Sequence, residues 1–197
     1  MKPVVAACYN EGLTSWIQCS PDVLLESIKF NIALTAISMS DKLTLVHAQT
    51  VDEIATARQL FEEYAESLGF SLCFQNFDQE LTGLPGKYSP PTGRLLLAYV
   101  DSKVAGCIAL RKHDSDTSEM KRLFLRPHFR GMGLGKALVV KIIDEAKAIG
   151  YKHMCLDTIP GKMDSAIALY EAMGFEDISP YYDNPVAGAR FMRKDLR

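Results

Sequence analysis

A glycine-rich segment has the spacing expected of a phosphate-binding turn. It consists of Arg130, Gly131, Met132, Gly133, Leu134, Gly135 and Lys136. It lies between an apolar stretch that ends near Leu125 and a long helical pattern. Glycines leave backbone N–H groups accessible to an anion, and the first turn of a helix adds unpaired donors and the positive end of the helix dipole. A phosphorylated ligand is therefore the expected occupant.

Spacing separates the known classes of phosphate-binding loop. A dinucleotide-binding turn requires a third glycine where this chain has Lys136, which weakens that interpretation. A Walker A loop requires glycine in place of Arg130 and a hydroxyl residue in place of Ala137, which excludes it. The remaining pattern is Arg-x-x-Gly-x-Gly between a strand and a helix. A turn that only connects the two elements is the alternative.

Basic residues surround this segment. No acidic residue occurs between Glu119 and Asp144, and the interval contains Lys121, Arg122, Arg126, Arg130, Lys136 and Lys141. Because the formal net charge of the whole chain is only -2, this positive charge is local. It suits a small polyanion, and the overall balance gives no reason to predict nucleic acid as a partner. A solvated surface face is the alternative interpretation.

Length and composition favour one catalytic domain with an N-terminal addition. The chain has 197 residues, of which 48% are hydrophobic, enough for one core. We assign residues 41–197 to the domain and residues 1–40 to an extension without an assigned role. Ser20-Pro21-Asp22 predicts the start of one helix in the extension, with either the domain or a second copy of the chain, in a homodimer, as its expected partner.

Cysteine, histidine and apolar patterns set further expectations. The five cysteines form no C-x-x-C pair and predict reduced thiols, with Cys107 and Cys155 as small core residues. The four histidines lack ligand spacing, so we predict no metal site. No apolar run approaches the ~20 residues of a membrane span, and the N-terminus lacks a secretory signal pattern. We expect a cytoplasmic protein with no membrane partner.

From Lys42 onward, strand and helix patterns alternate. The predicted strands cover residues 43–46, 95–100, 104–110, 119–125, 153–158 and 189–194. A capping box of Thr50 and Glu53 predicts the first helix of the domain, and residues 74–81 predict a second. A third helix follows the glycine segment and ends at Gly150, and a fourth covers residues 164–173.

Four ordered motifs make residues 42–196 resemble the GNAT superfamily of N-acetyltransferases. They are E-M-K-R-L-F-L, R-G-M-G-L-G, L-D-T and A-I-A-L-Y-E-A-M-G-F. The segments L-D-T-I-P and P-Y-Y-D-N-P are similar to a bacterial group of small-molecule acetyltransferases. The resemblance implies an α/β (α+β) fold whose mixed, mostly antiparallel sheet of about six or seven strands is flanked by about four helices.

The resemblance also implies a binding site for acetyl-CoA as co-substrate. The main chain of Leu123, Phe124 and Leu125 would bind the pantetheine arm, and one N–H there would face the thioester oxygen. Residues 130–136 would bind the diphosphate. Many relatives carry Asn where this chain has Met163, so the side-chain hydrogen bond that Asn makes to the pantetheine arm is not expected.

Two residues match the catalytic positions of the family. Glu119 matches a general base that accepts a proton from the acceptor amine, directly or through water. Tyr170 matches a tyrosine that donates a proton to the departing thiolate. A surface carboxylate and a packing tyrosine are the structural alternatives.

Aromatic and amide side chains are candidates for the acceptor side. They are Phe74, Gln75 and Tyr88, with Phe77, Tyr181 and Tyr182 as further candidates. This mixture favours a compact amine over a long peptide. The leading hypothesis is an acetyl-CoA-dependent N-acetyltransferase that acts on the primary amine of a small molecule by direct attack in a ternary complex. A protein or peptide N-acetyltransferase and a non-catalytic acyl-CoA-binding module are the alternatives.

Overall fold

A seven-stranded mixed sheet with four α-helices forms the part of the chain that the structure, a computed structural model, describes, residues 43–197. The strands are β1 (Leu43–His47), β2 (Arg94–Val100), β3 (Lys103–Lys112), β4 (Thr117–Leu125), β5 (His153–Thr158), β6 (Glu176–Ile178) and β7 (Arg190–Asp195). The helices are α1 (Val51–Leu68), α2 (Phe77–Thr82), α3 (Leu134–Ile149) and α4 (Asp164–Ala172). The predicted fold class is confirmed.

The strand order in the sheet is β1-β2-β3-β4-β5-β7-β6. Strands β4 and β5 are parallel, and every other neighbouring pair in this sheet is antiparallel. Strands β2, β3 and β4 form a meander because short turns join β2 to β3 and β3 to β4, whereas α1 and α2 lie between β1 and β2. Helix α3 then provides the crossover that a parallel β4–β5 pair requires.

Both faces of the sheet are buried, which explains the nearly continuous apolar runs in β2 and β3. Helices α3 and α4 pack on one face with a core that includes Leu96, Leu138, Ile142 and Leu156. Helix α1 packs on the other face with a core that includes Leu60, Phe61 and Leu97. Adjacent residues Leu96 and Leu97 enter different cores because successive strand side chains point to opposite faces.

The helix boundaries follow local capping chemistry. The predicted capping box is confirmed: the Thr50 hydroxyl accepts from the Glu53 N–H at 3.2 Å, and a Glu53 carboxylate oxygen accepts from the Thr50 N–H at 2.9 Å. Gly150, at φ 104°, ends α3 as predicted. The predicted second helix is interrupted, because Asn76 adopts a left-handed conformation (φ 56°) between a single 3-10 turn, Cys73–Gln75, and α2.

Strand β6 is the element that the sequence patterns did not predict. It has only three residues, and Glu176 and Asp177 are exposed, so no alternation of apolar residues marks it. Cys107 and Cys155 are buried within β3 and β5, as expected. The helix predicted after Ser20 lies outside the described residues. Within residues 43–197, no helix combines the length and apolarity needed to cross a membrane.

Candidate active site

Strands β4 and β5 separate after three paired positions. Thr117, Ser118 and Glu119 pair with His153, Met154 and Cys155, and β4 then continues for six residues beside β3 alone. Main-chain groups on the β5 side of this stretch therefore have no strand partner among residues 43–197. Leu123, Phe124 and Leu125 lie here and line a cavity of about 740 Å³ between the two strands. The structure thus brings the predicted pantetheine-binding residues to an open strand edge.

A β-bulge shapes the same stretch of β4. Cys107 pairs with Phe124 and Ala109 pairs with Lys121, so β4 has one more residue than β3 over this interval. Arg122 occupies the bulge with φ 57°. Its guanidinium donates to both carboxylate oxygens of Glu80, at 2.8 and 2.7 Å, and thereby fastens β4 to α2.

The glycine segment forms one end of the cavity. Gly131 and Gly133 have φ values of 77° and 78°, and no atom of the described residues lies within 4 Å of a Cβ placed at either position. A side chain there would occupy the space in front of the α3 N-terminus. The open backbone therefore fits a diphosphate.

Most of the glycine-rich segment, residues 130–136, lines the cavity. Its lining members are Arg130, Gly131, Gly133, Gly135 and Lys136. Leu134 is instead buried in the core between α3 and the sheet, and Met132 packs against that core. These two side chains anchor the turn, while the backbone and the two cations face the ligand space.

The positive field is narrower than the sequence indicated. Four of the six basic residues are paired with carboxylates: Lys121 with Asp157, Arg122 with Glu80, Arg126 with Glu63, and Lys141 with Glu145. Arg130 and Lys136 have no ion-pair partner among residues 43–197 and line the cavity. They are the cations of this interval that remain available to an anionic ligand.

Glu119 lies at the last paired position of β4 and is 1% exposed. Its carboxylate accepts from Arg111 at 2.6 Å and from the Tyr181 hydroxyl at 3.1 Å, and Lys121 Nζ lies 3.5 Å away. Burial raises the pKa of Glu119, but Lys121 and Arg111 outweigh burial and hold the pKa below its usual value. Glu119 is therefore an ionised carboxylate that contacts three donors beside the cavity and not within its lining.

Asp157 of β5 is a buried carboxylate that lines the cavity, and Asp164 at the start of α4 also belongs to the lining. Lys121 donates to one oxygen at 2.7 Å, and the Tyr182 hydroxyl donates to the other at 2.8 Å. Burial raises the pKa of Asp157, but Lys121 and Tyr182 lower it by more than burial raises it. The pKa lies below its usual value, so the carboxyl group is ionised. Asp157 belongs to the L-D-T motif, but the sequence patterns predict no role for its side chain. A signal was present for Asp157, since it is the one acidic residue of the strand His153–Thr158.

Tyr170 of α4 lines the cavity on the face opposite α1. Its ring packs against Phe175, with the ring centroids 5.7 Å apart. Burial raises the pKa of Tyr170 above its ordinary value, so the phenol stays protonated at neutral pH. None of the hydrogen bonds between described residues uses its hydroxyl, which leaves the phenolic proton available to a ligand. Met163 also lines the cavity.

The predicted acceptor residues divide into two groups. Phe74 and Gln75 line the cavity, and Gln75 donates to the Tyr182 hydroxyl at 3.2 Å. Tyr181 and Tyr182 reach the site by hydrogen bonds to Glu119 and Asp157. Tyr88 and Phe77 lie outside the lining: Tyr88 is buried and donates to Glu80 at 3.0 Å, and Phe77 packs under the Arg122 guanidinium.

The site combines a glycine turn at a helix N-terminus, a cavity between diverging parallel strands and a protonated tyrosine in the cavity lining. The acetyltransferase (GNAT) family model matches residues 54–175. The chain belongs to this family and is an N-acetyltransferase. Its fold and its assignment as an enzyme, both predicted from the motifs, are thereby confirmed.

Known relatives agree with this assignment. An uncharacterized N-acetyltransferase of Schizosaccharomyces pombe is 36% identical over 168 residues, which cover 84% of this chain and 96% of the relative. The N-acetylaspartate synthetase of Danio rerio is 32% identical over 111 residues, 55% of this chain and 39% of that protein. The structure also resembles that of the PaiA N-acetyltransferase of Thermoplasma acidophilum in complex with coenzyme A, with a TM-score of 0.60 and 18% sequence identity. The match covers 78% of this chain and 98% of that chain.

Proposed function

We propose that this acetyltransferase uses acetyl-CoA to acetylate the primary amine of a small molecule by direct attack in a ternary complex. The observation that carries the proposal is the single cavity, which connects the glycine turn at one end with Gln75, Lys121 and Asp157 at the other. One end fits the diphosphate, and the other offers polar groups to an acceptor. The thioester then belongs between them, at the open edge of β4.

The size of the cavity supports a compact acceptor. Its volume of about 740 Å³ lies within the range of roughly 300–1,000 Å³ found for small-molecule sites. The same space must also hold the pantetheine arm. The volume that remains suits a small amine better than a peptide segment. The name of the Danio rerio relative, N-acetylaspartate synthetase, agrees with a small acceptor.

Each chemical requirement of the transfer has a residue. The acceptor nitrogen attacks the thioester carbonyl, the new C–N bond forms, and the C–S bond breaks. One backbone N–H among residues 123–125 stabilises the developing oxyanion. Tyr170 donates its phenolic proton to the departing thiolate, and Glu119 accepts the acceptor's proton through water, because its carboxylate lies outside the lining. One proton per acetylated ammonium passes on to solvent.

Direct attack is favoured because no cysteine in the described part of the chain lines the cavity. Cys107 and Cys155 are buried, and burial raises the pKa of the Cys155 thiol to about 12. Such thiols are protonated and shielded, which makes them poor nucleophiles. An acetyl-cysteine intermediate therefore has no support in this site.

The test is CoA release measured with a thiol reagent across a panel of small amines and amino acids, with peptides analysed by mass spectrometry in parallel. We expect acetyl-CoA to raise the melting temperature and small amines to be acetylated. Acetylated peptides without acetylated small amines would favour the protein acetyltransferase alternative. Acetyl-CoA binding without CoA release from any acceptor would favour the binding module.

The cytoplasmic location and pairing of two copies through residues 1–40 stay predictions.

A further inference from the structure

We propose that the acceptor is a zwitterion of the amino-acid type, whose ammonium binds Asp157 and whose carboxylate binds Lys121. This inference rests on the proposed function and names the substrate class of the same site. It is carried by a buried ion pair placed where β4 and β5 separate, with binding capacity that the protein's own contacts leave unused.

The two residues lie just beyond the last paired position, Glu119 with Cys155. Lys121 and Asp157 project from opposite sides of the opening and meet across it, with Nζ and Oδ1 2.7 Å apart. Their side chains are only 5% and 9% exposed, yet both line the cavity. A charged pair at this depth is costly to bury, so its position against the ligand space calls for a polar ligand.

Both charged groups have unused hydrogen-bonding capacity. The Lys121 ammonium carries three protons, and its one hydrogen bond among the described residues goes to Asp157, since Glu119 Oε1 lies farther away at 3.5 Å. Oδ2 of Asp157 is already occupied, because it accepts from Tyr182 at 2.8 Å and from Gln75 and Asn184 at 3.4 Å. Oδ1 accepts only from Lys121 among residues 43–197 and keeps a further lone pair for a ligand N–H. A ligand ammonium and carboxylate can therefore bind without breaking the Lys121–Asp157 contact.

The charge of the surroundings favours a ligand that carries both signs. The charges grouped here are Arg111, Lys121 and Arg122 against Glu80, Glu119 and Asp157, which balance. A simple ammonium would leave one uncompensated positive charge in a site shielded from water. The neutral form of such an amine is rare, roughly one molecule in a thousand at pH 7 for a pKa of about 10. A zwitterion keeps the site neutral as it enters.

The decisive experiment compares acceptors on the wild-type protein. The twenty common L-amino acids would be tested against their carboxamides and their decarboxylated amines, with kcat/KM measured from CoA release. We expect the best amino acids to exceed both matched analogues by about tenfold or more, the value of one charge-assisted hydrogen bond. Equal or faster acetylation of the amides and amines would overturn this inference and leave the proposed function standing. Absence of CoA release from every acceptor would remove both.

Variants of Lys121 test whether this residue causes the preference for amino acids over decarboxylated amines. Lys121→Met should bring the ratio of amino acid to decarboxylated amine close to one, and Lys121→Arg should retain most of the preference. Lys152→Met is the matched control, because Lys152 forms an exposed ion pair with Asp116 away from the cavity. An unchanged ratio in Lys121→Met would overturn the assignment. If that variant does not fold, a Lys121→Arg protein without any preference would do the same.

Discussion

Replacing Tyr170 with phenylalanine separates its chemical role from its packing role. The ring lies in the core beside Phe175, and phenylalanine keeps that contact. The hydroxyl makes no hydrogen bond within residues 43–197, so its removal should change the free energy of unfolding by less than about 0.5 kcal/mol. General acid catalysis contributes about 10²–10⁴-fold. We therefore expect kcat to fall at least about 100-fold, equivalent to about 2.7 kcal/mol of transition-state stabilisation.

Tyr151→Phe is the matched control with the opposite pattern. Tyr151 is buried in the same core, but its hydroxyl donates to the Thr92 carbonyl at 2.9 Å and it does not line the cavity. Loss of that bond should cost about 1 kcal/mol of stability and lower the melting temperature by roughly 2–4 °C. Its kcat should stay within about twofold of wild type.

The assay is CoA release at saturating acetyl-CoA, combined with thermal melts of all three proteins. Because burial raises the pKa of Tyr170 above its ordinary value near 10, the wild-type kcat should show no decline from phenol ionisation below about pH 10. The KM for acetyl-CoA should change little in Tyr170→Phe. Wild-type kcat in this variant, or equal losses in both variants, would refute the acid role and reduce Tyr170 to a packing residue.

Three further outcomes follow from the site and from one surface network. Glu119→Gln should lower kcat/KM about 100-fold at pH 7, and the deficit should shrink toward pH 10 as the acceptor deprotonates without help; a deficit independent of pH would indicate a positioning role. Gly133→Ala should raise the KM for acetyl-CoA about tenfold. Gly188→Ala is the matched control, because Gly188 has nearly the same φ (77° against 78°) and equally open space around it, and its KM should stay unchanged. Both variants should lose about 1 kcal/mol of stability. Salt-bridged cations outweigh burial and lower the pKa of Glu145 to about 2. The ionised carboxylate should therefore stabilise the fold by about 1 kcal/mol above about pH 4.5, and this contribution should disappear toward pH 2. Denaturant unfolding should accordingly give the same free energy of unfolding for wild type and Glu145→Gln near pH 2.

Local signals in the sequence predicted most of the fold. The Thr50–Glu53 capping box, Gly150 and the apolar strand runs each act within a few residues, so their structural outcome does not depend on distant contacts. The same locality explains the glycine turn at Gly131 and Gly133. Strand β6 escaped detection because its stability comes from pairing with β7 and not from its own three residues.

The ionic part of the site could not be predicted in the same way, because its contacts join distant parts of the chain. Lys121 and Asp157 are 36 residues apart, and Arg122 and Glu80 are 42 apart. The residues that flank Lys121 and Arg122 in the sequence do not predict which carboxylate each cation will pair with. The expected general base, Glu119, is surrounded by donors from three segments, whereas Asp157 is in the cavity lining beside Lys121.

The β-bulge is what places two cations together on the acceptor side. Strict alternation along β4 would put Met120, Arg122 and Phe124 on one face of the sheet. Instead, Met120 packs in the core beneath α3 and Phe124 packs in the core beneath α1, so the face changes between them. The extra residue at Arg122 makes that change, and the guanidinium consequently joins Glu80 and Gln75 on the side where Lys121 meets Asp157. The bulge thus adds Arg122 to the side of the site where we propose that Lys121 and Asp157 select the acceptor.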